Sequence, residues 1–109
     1  MFPRRHGAAA IGYPSVDSVK EESGGLIARN LPRREIWLVQ TPQAASVELL
    51  RRAIQEAELR QFTATDEASI LELLKIPIAL VPGSRDNIKI TYPEDLALAE
   101  FFFSQRKNP

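Results

Sequence analysis

The sequence predicts an α/β layered domain, and three observations carry that prediction. An apolar run, Glu35-Ile36-Trp37-Leu38-Val39, precedes a stretch, residues 44–59, whose apolar side chains recur at helical spacing. The same order returns later, with Ile78-Ala79-Leu80-Val81 ahead of a helix start at Thr91-Tyr92-Pro93-Glu94. Strands alternating with helices pack as helices on a sheet. The third observation is length. The chain has 109 residues, room for one small domain, and its strands are few for a complete doubly wound sheet. Residues 1–109 therefore read as one partial domain, the second half of a larger one.

The elements follow in order. Gly7 to Val19 is rich in small and β-branched residues and predicts a strand, interrupted near Gly12 and Pro14. Glu21-Glu22-Ser23-Gly24-Gly25 reads as a polar turn, and Leu26 to Asn30 as a returning strand. Together they predict a β-hairpin over about 17–31. Both of its strands are poorly apolar, so the ribbon has little core to sit on and is expected to project toward a partner. Glu35–Val39 is the next strand, broken by Thr41-Pro42-Gln43. In the helix that follows, from about Ala44 to Leu59, Val47, Leu50, Ala53, Ile54 and Ala57 form the apolar stripe.

Thr65 is expected to cap a second helix, with Asp66 and Glu67 in its first turn and Ile70, Leu71, Leu73 and Leu74 on its buried side. Pro77 ends it. Ile78–Val81 reads as a short buried strand. Ile88-Lys89-Ile90 reads as another, with Lys89 opposite its apolar neighbours. Thr91 and Glu94 have the spacing of a reciprocal capping box. The last helix should run to about Gln105 and bury Leu96, Ala99, Phe102 and Phe103. Trp37 and the phenylalanines at 101 to 103 are expected in the core rather than in a stacking platform.

Composition narrows the function. Fourteen basic and fourteen acidic side chains cancel, which gives no electrostatic case for duplex nucleic acid or an anionic membrane. The absence of cysteine removes disulfides, thiolate metal sites and cysteine nucleophiles. No stretch approaches the ~20 apolar residues of a membrane span. Arg4-Arg5-His6 stands ahead of an apolar run too short and too weak for a signal peptide. A cytoplasmic protein is the expectation.

Four groups could carry chemistry. Lys89, just after the Gly83-Ser84 turn, could hold a phosphate as a point charge, or be a solvated lysine on an edge strand. Arg33-Arg34 could grip a phosphate bidentately, or be surface arginines. Thr41-Pro42-Gln43 could aim a hydroxyl, or simply turn the chain. Thr65-Asp66-Glu67 is better explained by capping. His6 is expected in a frayed terminus without a chemical role. No Gly-rich loop lies between a strand and a helix, where it would cradle nucleotide phosphates.

Three motifs add a resemblance. Arg33-Arg34-Glu35-Ile36-Trp37-Leu38-Val39-Gln40-Thr41-Pro42-Gln43 is similar to the pattern R-x-x-L-W-x-x-Q-T-P-Q of 2-C-methyl-D-erythritol 4-phosphate cytidylyltransferases. Thr65-Asp66-Glu67-Ala68-Ser69 and the run from Asp86 to Glu100 resemble the same family, in the same order and at the same spacings. The likeness runs from about Gly7 to Gln105.

The resemblance implies the C-terminal half of a Rossmann-like nucleotidyltransferase domain with a projecting β-arm, residues 15–32. It implies a homodimer built through that arm. It also implies transfer of CMP from CTP to methylerythritol phosphate, with Mg²⁺ and release of pyrophosphate, in non-mevalonate isoprenoid synthesis. Arg33 and Lys89 match residues that position the acceptor phosphate, and Thr41 matches a hydroxyl that contacts the acceptor. Ser18 stands where many members have a threonine that the arm delivers to the neighbouring subunit. No metal ligand is identified.

The family's Gly-rich basic loop and its Asp-containing segment, which bind CTP and the metal, are not among these residues. The expectation is a chain inactive alone. The alternative is a non-catalytic remnant that dimerises or associates with an intact enzyme. An unrelated α/β module that mimics the motifs is the remaining reading.

Overall fold

In the computed structural model, residues 7–106 are described; Arg4, Arg5 and His6, weighed above, lie outside them. Three strands form one sheet and two form a separate ribbon. β1 (Ala8–Pro14) is the middle strand of the sheet. It pairs antiparallel with β4 (Trp37–Ala45) and parallel with β5 (Ala79–Pro82). Its opening alanines explain that place. Ala8, Ala9 and Ala10 are all buried, and their small side chains let neighbouring elements close in on both faces.

The core lies where Ala8 meets Ala53 of α1 (Val47–Leu59) and Leu71 of α2 (Glu67–Leu71). Leu49, Leu50, Ile70, Leu74, Ile76 and Ile78 pack around that cluster. α1 starts at Val47 rather than near Ala44, because the strand continues to Ala45 and Ser46 accepts a hydrogen bond from the Leu49 amide as N-cap. Val47 and Ile54 are exposed, so Leu49 replaces them on the core side.

β4 runs through the expected break. Pro42 has no N–H to donate, yet it stays in the strand, with a cis bond to Thr41. The register slips there: Ala10 faces Gln43, whereas Gly12 faces Val39. Two extra β4 residues are thus taken up as a bulge. Gly12 makes room for it, since a Cβ there would stand 2.6 Å from the Leu38 carbonyl oxygen.

The hairpin forms as expected, from β2 (Val19–Ser23) and β3 (Leu26–Leu31). Only Gly24 and Gly25 make the turn, both at positive φ, as a tight two-residue hairpin loop requires. Glu21 to Ser23 belong to the strand instead. Residues 20–30 are all exposed, and Lys20–Asn30 and Glu21–Arg29 side-chain contacts decorate the ribbon. At its base, the Ser15 amide donates to the Ile36 carbonyl and the Arg33 guanidinium to the Val16 carbonyl.

Four further expectations are corrected. Asp66, not Thr65, caps α2, because Ser69 completes a reciprocal box with Asp66. β5 is an edge strand and is only half-buried. Ile88-Lys89-Ile90 is not a strand; the sheet ends at β5, and these residues find no neighbour to pair with.

The fourth concerns α3 (Pro93–Arg106), which has no buried residue. Leu96 is 57% and Phe103 62% exposed, Phe101 is also exposed, and Phe102 and Trp37 are half-buried. Proline fills its first position, so the reciprocal acid is Asp95 rather than Glu94. Asp95 accepts from the Thr91 and Tyr92 amides at 2.9 and 2.8 Å.

Those bonds, the Tyr92 amide first, hold the Asp95 carboxyl below its ordinary 3.8. The stabilisation is therefore present above that value and is lost as pH falls through the lower folded one. In Asp95→Asn the loss of stability between pH 5 and pH 2 is expected to shrink, read from urea midpoints. It persists in part, because Asp86 is also lowered, by Ser84 and then by Arg106.

Candidate functional site

A cleft of about 620 Å³ opens over the bulge in the middle of β4. Its floor is β4 itself, from Leu38 to Thr41. One wall is the segment Asn87-Ile88-Lys89, and the other is the turn Thr65-Asp66-Glu67 that begins α2. Tyr13, Gln43 and Asp95 complete the lining, and Arg85 lies over the Tyr13 ring at 5.6 Å.

Two of the four anticipated site residues meet here. Thr41 and Lys89, 48 positions apart in sequence, line the same cleft and are both exposed to it. The other two do not. Ser18 sits in the exposed link between β1 and β2, and Arg33 in the turn after β3, tied to Val16 at 2.8 Å. Both belong to the base of the hairpin.

The cleft carries three acidic side chains to one basic. Asp66, Glu67 and Asp95 line it along with Lys89, but two of these carboxylates already serve backbone amides. Asp66 accepts from Ser69 at 2.8 Å, and Asp95 from Thr91 and Tyr92. Lys89 stands exposed in the opening, where its ammonium meets solvent. Of this lining, the Lys89 ammonium is the group that can face an anion, and the Thr41 hydroxyl can add a directed hydrogen bond.

Sequence reasoning missed the amides. Gln40 donates to the carbonyl oxygens of Ser84 and Asn87, and Asn87 donates back to the Thr41 carbonyl at 2.7 Å. Gln43 accepts from the Ala68 amide at 2.9 Å. The motif Gln40-Thr41-Pro42-Gln43 was the signal. Read as a turn-maker, it gave no reason for glutamine at either end.

The sequence matches the family described as 2-C-methyl-D-erythritol 4-phosphate cytidylyltransferase over residues 3–105. The chain belongs to that family. The cytidylyltransferase of Acidobacterium capsulatum is 46% identical over 108 residues, which cover 95% of this chain and 45% of that protein. The cytidylyltransferase of Syntrophus aciditrophicus is 46% identical over 104 residues, 94% of this chain and 44% of its own. The chain thus spans about half the length of the curated relatives it matches.

Solved structures agree on the fold. The crystal structure of the cytidylyltransferase from Thermus thermophilus superposes with a TM-score of 0.80 at 39% identity, covering 93% of this chain and 50% of that one. The 4-diphosphocytidyl-2C-methyl-D-erythritol synthase of Anaerococcus prevotii gives 0.81 at 26% identity, covering 93% and 48%. The mixed sheet and its helices are accordingly part of a Rossmann-like nucleotidyltransferase domain. Among the described residues, no helix is long and apolar enough to cross a membrane.

Proposed function

We propose that the cleft is the acceptor half of a cytidylyltransferase site, which takes methylerythritol phosphate and presents its phosphate for transfer of CMP from CTP. The observation that supports this most is the meeting of Thr41 and Lys89 across one cleft. In such a transfer the acceptor phosphate oxygen attacks the α-phosphorus of CTP, and the bond to pyrophosphate breaks. Two anionic phosphates must approach each other, so the chemistry turns on positioning and on charge neutralisation. Lys89 offers the positive charge for the acceptor phosphate, and Thr41 a hydroxyl for orienting it.

The donor side finds little here. No loop of the kind that cradles nucleotide phosphates occurs between a strand and a helix. Among the described residues, no three His, Cys, Asp or Glu side chains stand where they could hold a metal ion. The Mg²⁺ of such a transfer thus finds no ready cluster of ligands among the described residues.

The hairpin supports the proposed assembly. Its exposed ribbon and the placement of Ser18 and Arg33 at its base suit a homodimer in which each arm reaches the other subunit's cleft. The cytoplasm is the compartment this reading implies.

Titration of the 109-residue chain tests it. Methylerythritol phosphate should shift the backbone resonances of Thr41 and Lys89, and methylerythritol without the phosphate should not. With CTP and Mg²⁺ added, pyrophosphate release should stay far below the ~10 per second of an ordinary enzyme. Turnover near that rate, or an unchanged spectrum with the phosphorylated ligand, would overturn the proposal.

A further inference from the structure

The walls of the cleft hold to its floor through side-chain amides. The segment with Lys89 is coil, so no ladder of strand hydrogen bonds fixes it. What reaches it from β4 is Gln40, whose Nε2 donates to the Ser84 carbonyl oxygen at 2.8 Å and to that of Asn87 at 2.9 Å. Asn87 Nδ2 returns a bond to the Thr41 carbonyl oxygen. Gln40 is wedged in that pose. A Cβ on Gly83 would stand 2.6 Å from Gln40 Oε1 and 2.3 Å from Ile11 Cγ2, so only glycine leaves room for the amide.

The opposite wall uses the same device. Gln43 Oε1 accepts from the Ala68 amide at 2.9 Å, and its Nε2 lies 3.3 Å from Asp66 Oδ2 and 3.2 Å from the Gln40 carbonyl oxygen. The two glutamines therefore flank Thr41-Pro42 and point in different directions, one to each wall.

We propose that Gln40 and Gln43 are positioning residues that together set the width of the cleft: Gln40 braces the Lys89 segment and Gln43 braces the Thr65–Glu67 turn, each against the strand that carries Thr41. The consequence for ligand rests on the acceptor reading above; the bracing does not.

The test uses the full 109-residue chain with Gln40→Glu and Gln43→Glu, which keep shape and remove donors. In the first, a carboxylate faces two carbonyl oxygens; in the second, it faces Asp66. Backbone order parameters from ¹⁵N relaxation are measured for both walls. In Gln40→Glu, residues 84–90 should fall from the ~0.85 of rigid backbone toward about 0.6 or below, while 65–71 hold. Gln43→Glu should give the converse, and residues 19–31 should be unmoved in both.

Affinity for methylerythritol phosphate should drop about tenfold in each. The uncharged, donor-free Gln40→Met and Gln43→Met should loosen the same walls, which separates bracing from a charge that unfolds the chain. Unchanged order in the methionine variants would overturn the proposal, as would both walls loosening in every variant, or loosened walls with undiminished affinity. If the parent chain binds no methylerythritol phosphate while each wall loosens with its own glutamine, the bracing stands and the acceptor reading falls.

Discussion

Lys89→Ala is expected to lower kcat/KM for methylerythritol phosphate by about 100-fold, or about 2.7 kcal/mol of transition-state stabilisation. The measurement needs a donor half, supplied by joining the N-terminal portion of the Acidobacterium capsulatum relative to this chain. The size follows from where the ammonium sits. Two unit charges ~4 Å apart interact by about 1 kcal/mol in water and about 4 kcal/mol in a protein-like surface medium. Lys89 is exposed at the rim of a cleft that a bound ligand would partly close, so a value between those limits is the natural one. The loss should fall on the acceptor's kinetic constants and leave the KM for CTP within about threefold. Lys89→Arg should restore less than about a tenth of the loss, because a planar fork does not reproduce a compact ammonium on this coil segment. Acceptor kinetics untouched by Lys89→Ala would sink the role assigned to this residue.

The second large effect is structural. Leu71→Ala should destabilise the chain by about 3 kcal/mol, within the roughly 2–5 typical of a buried leucine. Leu71 is 1% exposed and is the largest fully buried side chain among the described residues. The fully buried residues it meets in the core cluster, Ala8 and Ala53, are alanines. Ala8 and Ala53 have no rotamer with which to fill a vacated space, so closure would fall to the partly buried side chains around them and part of the cavity would stay open. Such a loss is a large share of the ~5–15 kcal/mol that stabilises a typical domain. Leu59→Ala, at 81% exposure, should change stability by less than about 0.5 kcal/mol. Urea unfolding of both variants decides the matter, and equal midpoints would contradict the assigned core.

The parts legible in the sequence were those whose cause is local. Gly24-Gly25 supplies positive φ for a tight hairpin whatever surrounds it, and the run around Trp37 makes a strand by its own composition. Helix α1 was legible in type, but its stripe was only partly so. Val47 and Ile54 obey the period yet face outward. Periodicity shows that a face exists and does not show what covers it.

The cleft was legible in two of its residues and not in its construction. Three alternating residues, Ile88-Lys89-Ile90, contain no information about whether a partner strand is free to pair. Thr65 and Asp66 are both good caps, and the choice between them rests with Ser69. Asp95 displaced Glu94 because Pro93 sets the first turn one residue later than Thr91 suggested. The bracing amides were hidden for a different reason: Gln40 to Asn87 spans 47 positions and Gln43 to Ala68 spans 25, distances over which local pattern is silent.

The ribbon of β2 and β3 has no core of its own; its residues 20–30 are all in solvent, and Leu26 and Ile27 at its tip are 74% and 69% exposed. A lone two-stranded ribbon is marginal in water. If such an arm docks on a second subunit, the conformational entropy of ordering it is charged against the binding free energy at that moment. The strength of assembly then depends on how far the arm is pre-organised as well as on what it touches. Substitutions that stiffen the ribbon, at positions remote from the cleft and from whatever the arm would touch, would then tighten such an assembly without adding a single contact.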